Sequence, residues 1–129
     1  MGSQVTRVLV VEDQDYLREM VVDILSEYGY PAAGFADPFT ALAQVAGLMP
    51  ELVVLDMWMP SMSGVTFLAR LRRDPRFTAL PVIVVSGDRT VSIDKLGDAH
   101  VEFILKPFEA SVLMERTRAL IGPPLCISA

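Results

Sequence analysis

The chain has 129 residues, the size of a single domain. Its apolar fraction of 52% and charged fraction of 21% exclude a disordered signalling tail. One cysteine excludes a disulfide framework and a paired-cysteine metal site, and it favours a cytoplasmic setting. The formal charge of −5 argues against direct binding of nucleic acid, and no apolar run reaches the roughly 20 residues of a membrane span.

The composition shows no interior linker and no repeat, so we expect one domain over residues 1–129. Its core should run from about residue 7 to residue 121, with flexible termini at 1–6 and 122–129. The opening Met1-Gly2-Ser3 fits a native start and a cloning remnant equally well.

Five short apolar runs alternate with helical patterns along the chain. The first helix should stop at Gly29, and the second should begin after the N-cap Asp37 with Pro38 in its first turn and end near Gly47. The strands are predicted at 8–11, 31–36, 52–55, 81–85 and 101–105. The remaining helices are predicted after Gly64, as a short polar helix over 90–96, and over 109–121.

The helices after the third and fifth strands should each bury one face. The inward residues are predicted to be Val65, Leu68, Ala69 and Leu71 in the first of these helices, and Val112, Leu113, Leu120 and Ile121 in the second. The basic run of Arg70, Arg72 and Arg73 is interpreted as a solvated helix end, which could help to dock a partner.

Several of the strands are almost continuously apolar, a pattern typical of strands that are buried on both faces. Strands of this kind, each followed by a helix, form a parallel sheet with helices on both sides. The sequence therefore predicts a single doubly wound (βα)5 domain of the flavodoxin type, with a five-stranded parallel sheet in the order 2-1-3-4-5.

Polar side chains follow four of the five predicted strands. They are Glu12 and Asp13 after the first strand, Asp56 after the third, Ser86 after the fourth and Lys106 after the fifth. Because ligands bind at the carboxyl ends of the strands in such sheets, we expect these side chains to share one site. Three carboxylates, if they meet, require a hard cation such as Mg²⁺, and a hydroxyl beside an ammonium group suits an anion. The set indicates phosphoryl transfer onto the Asp56 carboxylate.

The chain here resembles the receiver domains of two-component response regulators, of the CheY-like type, over about residues 7–121. The motifs that carry the resemblance are Glu12-Asp13, Asp56 followed by Met59-Pro60 and Gly64, Ser86, and Lys106-Pro107-Phe108. The separations of 43 residues between Asp13 and Asp56 and of 30 between Asp56 and Ser86 also resemble the family.

The resemblance implies that Asp56 accepts a phosphoryl group from a phosphohistidine of a sensor histidine kinase or phosphotransfer protein. It implies a Mg²⁺ site, which Mn²⁺ could also occupy, formed by Asp13, Asp56 and the backbone carbonyl of Trp58, with Glu12 acting through a metal-bound water.

By the same resemblance, Ser86 and Lys106 should bind the phosphoryl oxygens, and Phe103 stands where the family has its switching aromatic residue. Pro107 should follow a cis peptide bond, and Gly64 should have a structural role.

The chain departs from the family pattern near its fourth predicted helix. Gly87 and Asp98 replace residues that are common in the family, and the separation of 20 residues between Ser86 and Lys106 is short by one or two. We therefore expect the helix over 90–96 to be clipped or displaced. An output or homodimer face formed by the fourth predicted helix, the fifth strand and the fifth predicted helix would use Lys95, Glu102, Arg116 and Arg118.

Two other functions compete with the phospho-accepting switch, which has no turnover substrate and is not an enzyme in that sense. A haloacid-dehalogenase-type phosphatase would need a second aspartate where Trp58 stands, and a degenerate receiver would lack acceptor residues that are present here. Solitary His100 is interpreted as a loop residue, and Met57, Met59 and Met62 as loop packing rather than as ligands.

Overall fold

The computed structural model describes residues 5–88 and 97–124. Its strands are β1 (Val8–Val11), β2 (Ala32–Phe35), β3 (Leu52–Asp56), β4 (Val82–Ser86) and β5 (Val101–Leu105). Its helices are α1 (Asp15–Glu27), α2 (Pro38–Leu48), α3 (Gly64–Leu71) and α4 (Ala110–Ile121), with a 3-10 turn at Pro75–Phe77. The helix predicted over 90–96, with the candidate contact Lys95, lies outside the described residues.

All five strands pair in parallel in the order β2-β1-β3-β4-β5, as the sequence predicted. Alternate strand residues face opposite sides of the sheet. One side carries Leu9, Val53 and Val84 against α2 and α3, and the other carries Val10, Val54 and Ile83 against α1 and α4. The sheet therefore separates two apolar cores, and two of the helices within residues 5–88 and 97–124 cover each of them.

Helix α2 begins as predicted, since the Asp37 carboxylate accepts hydrogen bonds from the backbone N–H groups of Phe39 and Thr40. It ends later than predicted. Gly47 remains helical, and the C-cap is Met49 with a φ of 45°.

Two of the predicted inward faces are partly wrong. In α3 the buried residues are Gly64, Phe67, Leu68 and Leu71, whereas Val65 and Ala69 are exposed. In α4 Leu113 is buried but Val112 is exposed. Along a helix, residues three or four positions apart lie on the same face. Which face is buried depends on how the helix packs on the sheet, and apolar character alone does not decide it.

The segment after α4 is tied to the base of the sheet. Buried Arg7 donates to the carbonyls of Ile121 and Pro123, and the Tyr30 hydroxyl donates to the carbonyl of Gly122 at 2.8 Å. Residues 122 and 123, which the sequence assigned to a flexible terminus, are thus held in place by these hydrogen bonds. Within the described ranges, no helix combines the length and the apolar character needed to cross a bilayer.

Candidate functional site

The polar residues at the strand ends meet at one edge of the sheet. Asp56 closes β3, Glu12 directly follows β1, and β1 and β3 are neighbours in register. Lys106 directly follows β5, and its backbone N–H extends the ladder to the carbonyl of Ser86 at 2.8 Å. The parallel topology therefore converts residues that are far apart in the chain into one cluster, as the sequence predicted.

Pleating decides which of these side chains touch. Glu12, Asp56 and Lys106 continue the alternation of Val10, Val54 and Ile104, which all face the α1–α4 side of the sheet. The Lys106 ammonium accordingly lies 3.3 Å from Asp56 Oδ1 and 3.4 Å from Glu12 Oε1. One cation thus bridges two carboxylates.

Glu12, Asp13 and Asp56 form a cluster of carboxylates. Each offers an oxygen within 4.8 Å of the oxygens of the other two. Glu12 is 4% exposed and Asp56 is 6% exposed, so two of the three are shielded from water. An all-oxygen set of this kind, partly open at Asp13, fits a hard divalent cation that keeps some of its waters.

The electrostatics of the cluster favour added positive charge. Burial raises the pKa of Glu12 to about 7, and the neighbouring Asp56 carboxylate adds to the rise. Burial also raises the pKa of Asp56, although the ammonium of Lys106 opposes that shift. One lysine therefore leaves the carboxylates incompletely compensated, because like charges disfavour one another's ionisation.

Hydrogen bonds from the backbone orient both buried carboxylates. The N–H of Gln14 donates to Glu12 Oε2 at 3.1 Å, and the N–H of Trp58 donates to Asp56 Oδ1 at 3.4 Å. Trp58 itself is 56% exposed. Residues 58 and 63 also form an antiparallel bridge, which closes the loop after β3.

Ser86 lies at the same sheet edge and is almost fully buried. Its Oγ accepts a hydrogen bond from the N–H of Asp88 at 3.0 Å, which leaves the hydroxyl hydrogen able to donate to another oxygen. Phe103 is half-buried beside Val84 in the β4–β5 register and packs against the α2–α3 core.

The structure shows the local geometry of Pro107 and Gly64, the two residues predicted to have structural roles. The Lys106–Pro107 peptide bond is cis. Gly64 donates its N–H to the carbonyl of Met57 at 2.7 Å, and a Cβ at this position would lie 3.1 Å from the Met57 Cα. A side chain at residue 64 would therefore push the loop that follows Asp56 away from the start of α3.

The methionines of this loop, Met57, Met59 and Met62, are buried in the α2–α3 core, as predicted, and His100 lies exposed in a turn. Arg72 contradicts the interpretation of its basic run as a solvated helix end. Its guanidinium donates to the carbonyls of Phe77 and Leu80 and forms an ion pair with Asp98.

The protein-family model for the response regulator receiver domain matches residues 8–118, which is most of the chain. This protein belongs to that family. The identification made from the sequence motifs is therefore confirmed, and the protein is a receiver domain of the two-component response regulators.

Relatives and solved structures agree with the family. This receiver domain is 31% identical over 117 residues to the phosphate regulon transcriptional regulatory protein PhoB of Escherichia coli, covering 89% of this chain and 51% of PhoB. It is 33% identical over 122 residues to the DNA-binding response regulator MtrA of Mycobacterium tuberculosis, covering 92% and 52% of the two chains. The chain thus spans about half the length of these curated relatives.

The structure of the chemotaxis protein CheY4 of Vibrio cholerae superposes with a TM-score of 0.81, covering 92% of this chain and all of CheY4. At 24% identity, that likeness shows the shared fold.

Proposed function

We propose that Asp56 is the phospho-acceptor of this receiver domain, loaded from the phosphohistidine of a sensor histidine kinase or phosphotransfer protein. The observation that carries the proposal is the Lys106 ammonium 3.3 Å from Asp56 Oδ1, at a cluster of three carboxylates. A carboxylate oxygen of Asp56 forms the new bond to phosphorus as the phosphorus–nitrogen bond breaks. The bonding electron pair stays on the imidazole nitrogen, which takes up a proton.

Residues of this chain would stabilise the negative charge of the phosphoryl group. The ammonium of Lys106 pairs with one phosphoryl oxygen, and the Ser86 hydroxyl donates to another. Glu12, Asp13 and Asp56, together with the Trp58 carbonyl, would hold Mg²⁺ or Mn²⁺, with Glu12 acting through a bound water. When bound, such a cation supplies positive charge to neutralise the phosphoryl oxygens.

The same proposal covers the class, the cellular setting and the partners of the domain. The domain, taken as residues 1–129, is a switch and not an enzyme that turns over a separate substrate. Its setting is the cytoplasm, where its kinase partner would present the phosphohistidine. We assign no nucleic-acid contact to this domain, since its sequence pI is about 4.7, and the DNA binding named for MtrA belongs to that longer protein.

The experiment is intact-mass analysis after treatment with acetyl phosphate and Mg²⁺. The wild-type chain should gain one phosphoryl group, and Asp56→Asn should gain none while it keeps its fold, because an amide cannot attack phosphorus as a carboxylate does. Asp23→Asn, which changes an exposed aspartate of α1, is the matched control and should be labelled like the wild type. A full adduct on Asp56→Asn would refute the assignment.

The cation is tested separately by thermal unfolding. Millimolar Mg²⁺ should raise the Tm of the wild type by mass action and raise that of Asp13→Asn much less. An unchanged wild-type Tm would refute the metal site.

A further inference from the structure

Helix α2 is a surface helix without charge. The thirteen residues 38–50 contain no Asp, Glu, Lys or Arg. Ala41 and Val45 are buried in the core beneath the helix, while Phe39 is 48% exposed and Met49 is 54% exposed. Surface helices of soluble domains normally carry charged residues on the outer face. The outer face of α2 thus has the character of a contact surface.

An open groove of about 410 Å³ runs between α2 and the end of α3. Buried Val45, Leu71 and Phe77 form its apolar floor, and the small, exposed Ala43 also lines it. Because Ala43 has no bulk beyond its Cβ, an approaching helix can come close to α2 at this position.

Two arginines line the same groove. In the part of the chain that the structure describes, neither Arg70 nor Arg73 forms an ion pair, and the Arg70 guanidinium lies 5.5 Å from the ring centre of Phe39. The only carboxylate in the groove lining, that of Asp74, is already paired with Arg76 at 2.7 Å. The groove is therefore positively charged although the whole chain has a formal charge of −5.

We propose that this α2–α3 groove (Ala43, Val45, Arg70, Leu71, Arg73 and Phe77) binds an amphipathic helix with acidic flanks from a partner protein. Apolar side chains spaced three and four residues apart on that helix contact the floor. Its carboxylates meet the guanidinium groups of Arg70 and Arg73, which contributes specificity and speeds association.

A second copy of the chain fits the groove less well. The chain's own acidic helix face, with exposed Glu19, Asp23 and Glu27 on α1, lies on the opposite side of the sheet from the groove. Pairing it with the groove of another copy would join unlike surfaces head to tail, a contact that forms a closed assembly only if its rotation closes a ring. The charge pattern therefore favours a different protein as the occupant.

The test uses two labelled synthetic peptides of roughly 18 residues, long enough to form a helix. Both carry leucines at helical spacing. One has glutamates on its flanks and the other has lysines at the same positions. Fluorescence anisotropy measures the Kd of each, and amide chemical shifts of the isotope-labelled protein locate the contact. Circular dichroism verifies that each protein variant is folded.

The acidic peptide should bind at least about tenfold more tightly than the basic one, and its affinity should fall with added salt. Ala43→Glu and Arg73→Glu should each weaken binding at least about tenfold. Gln44→Glu adds the same charge to the neighbouring exposed position of α2, outside the groove lining, and should leave Kd within about twofold.

Three results would overturn the proposal. The first is equal affinity for the two peptides, or no binding of either. The second is binding of the acidic peptide that Arg73→Glu does not weaken, or amide shifts confined to α1 and α4. The third is self-association of the wild type in sedimentation that Arg73→Glu abolishes, which would assign the groove to a second copy.

Discussion

Arg72 and Asp98 form a two-point ion pair between the end of α3 and the residues that precede β5. Nε lies 2.7 Å from Oδ2, and Nη2 lies 3.2 Å from Oδ1. The side chains are 16% and 14% exposed, and the same guanidinium also donates to the carbonyls of Phe77 and Leu80. This one side chain therefore fixes the loop between α3 and β4 and the approach to β5.

Arg72→Met should lower the free energy of unfolding by about 3 kcal/mol, because it removes the cationic partner of the partly buried Asp98 carboxylate and the guanidinium hydrogen bonds to the carbonyls of Phe77 and Leu80. Urea denaturation measures the change. Arg73→Met, which alters the adjacent exposed arginine, should cost less than about 0.5 kcal/mol. Equal losses in the two variants would contradict the structural role of Arg72.

The ion pair also predicts a pH dependence. Burial raises the pKa of Asp98, but the hydrogen bonds from Arg72 and from the backbone N–H of His100, together with the charge of Arg72, outweigh burial and hold the pKa below the ordinary 3.8. The unfolded state therefore binds the proton of this carboxyl group more readily than the folded state does. The contribution of Asp98 to stability is present at pH values above its ordinary pKa, and it is lost as the pH falls through the pKa of the folded state. Asp98→Asn should weaken the acid dependence of the urea midpoint in this range.

In metal-free protein, Glu12 should change the pH dependence of stability in the opposite direction to Asp98. Burial raises its pKa from 4.5 to about 7, so the folded state binds the proton more tightly than the unfolded state. Stability in the presence of EDTA should therefore rise as the pH falls from 8 to 5, by on the order of 2 kcal/mol from this residue. Glu12→Gln should remove that rise, and Glu27→Gln at an exposed site should retain it. A rise of the same size in Glu12→Gln would assign the proton to another group.

Trp58 should shield the phosphorylated aspartate. Its backbone N–H donates to Asp56 Oδ1, and the residue is large and exposed two positions after the aspartate. Trp58→Ala should shorten the lifetime of the phosphoryl group severalfold, since less of the site is closed to water. Trp58→Phe keeps much of the bulk and should change it less. The decay of the phosphorylated mass gives the lifetime, and an unchanged or longer lifetime in Trp58→Ala would reject the shielding.

Phosphorylation should alter the β4–β5 side of the domain. Ser86 is bonded to the N–H of Asp88, so its movement toward a phosphoryl oxygen should carry the following loop with it. Such movement would open space near Phe103, and the phosphoryl group would shift the population toward that arrangement. The candidate output residues there include Glu102 and Arg116, which form an ion pair at 3.2 Å.

Amide hydrogen exchange with and without beryllofluoride measures this shift. Protection should change in residues 86–88 and 97–105 as well as near Asp13 and Asp56. Changes confined to the loops that contain Asp13 and Asp56 would show that the switch does not use this face. Leu25, in the core on the α1–α4 side of the sheet, serves as the internal reference that should not change.

The strand ends were predictable because their signals are local. An apolar β-branched run followed by a carboxylate, a serine or a lysine predicts a buried strand with a polar residue at its end. Parallel pairing then brings Glu12, Asp56, Ser86 and Lys106 to one edge without further information. The cap at Asp37 and the order of the sheet follow from equally short patterns.

The sequence by itself thus determined the sheet, its order and the polar edge where the proposed chemistry takes place. Only the tertiary structure decided that Arg72 points inward to Asp98 while Arg73 points to solvent, and that Val65 and Val112 are exposed. The reason is geometric: consecutive helical residues differ by about 100° in direction, and the packing of a helix on the sheet selects which directions are buried. Arg7 shows the same limit, since its partners Glu51, Ile121 and Pro123 are 44 to 116 residues away and meet it only after the sheet has formed.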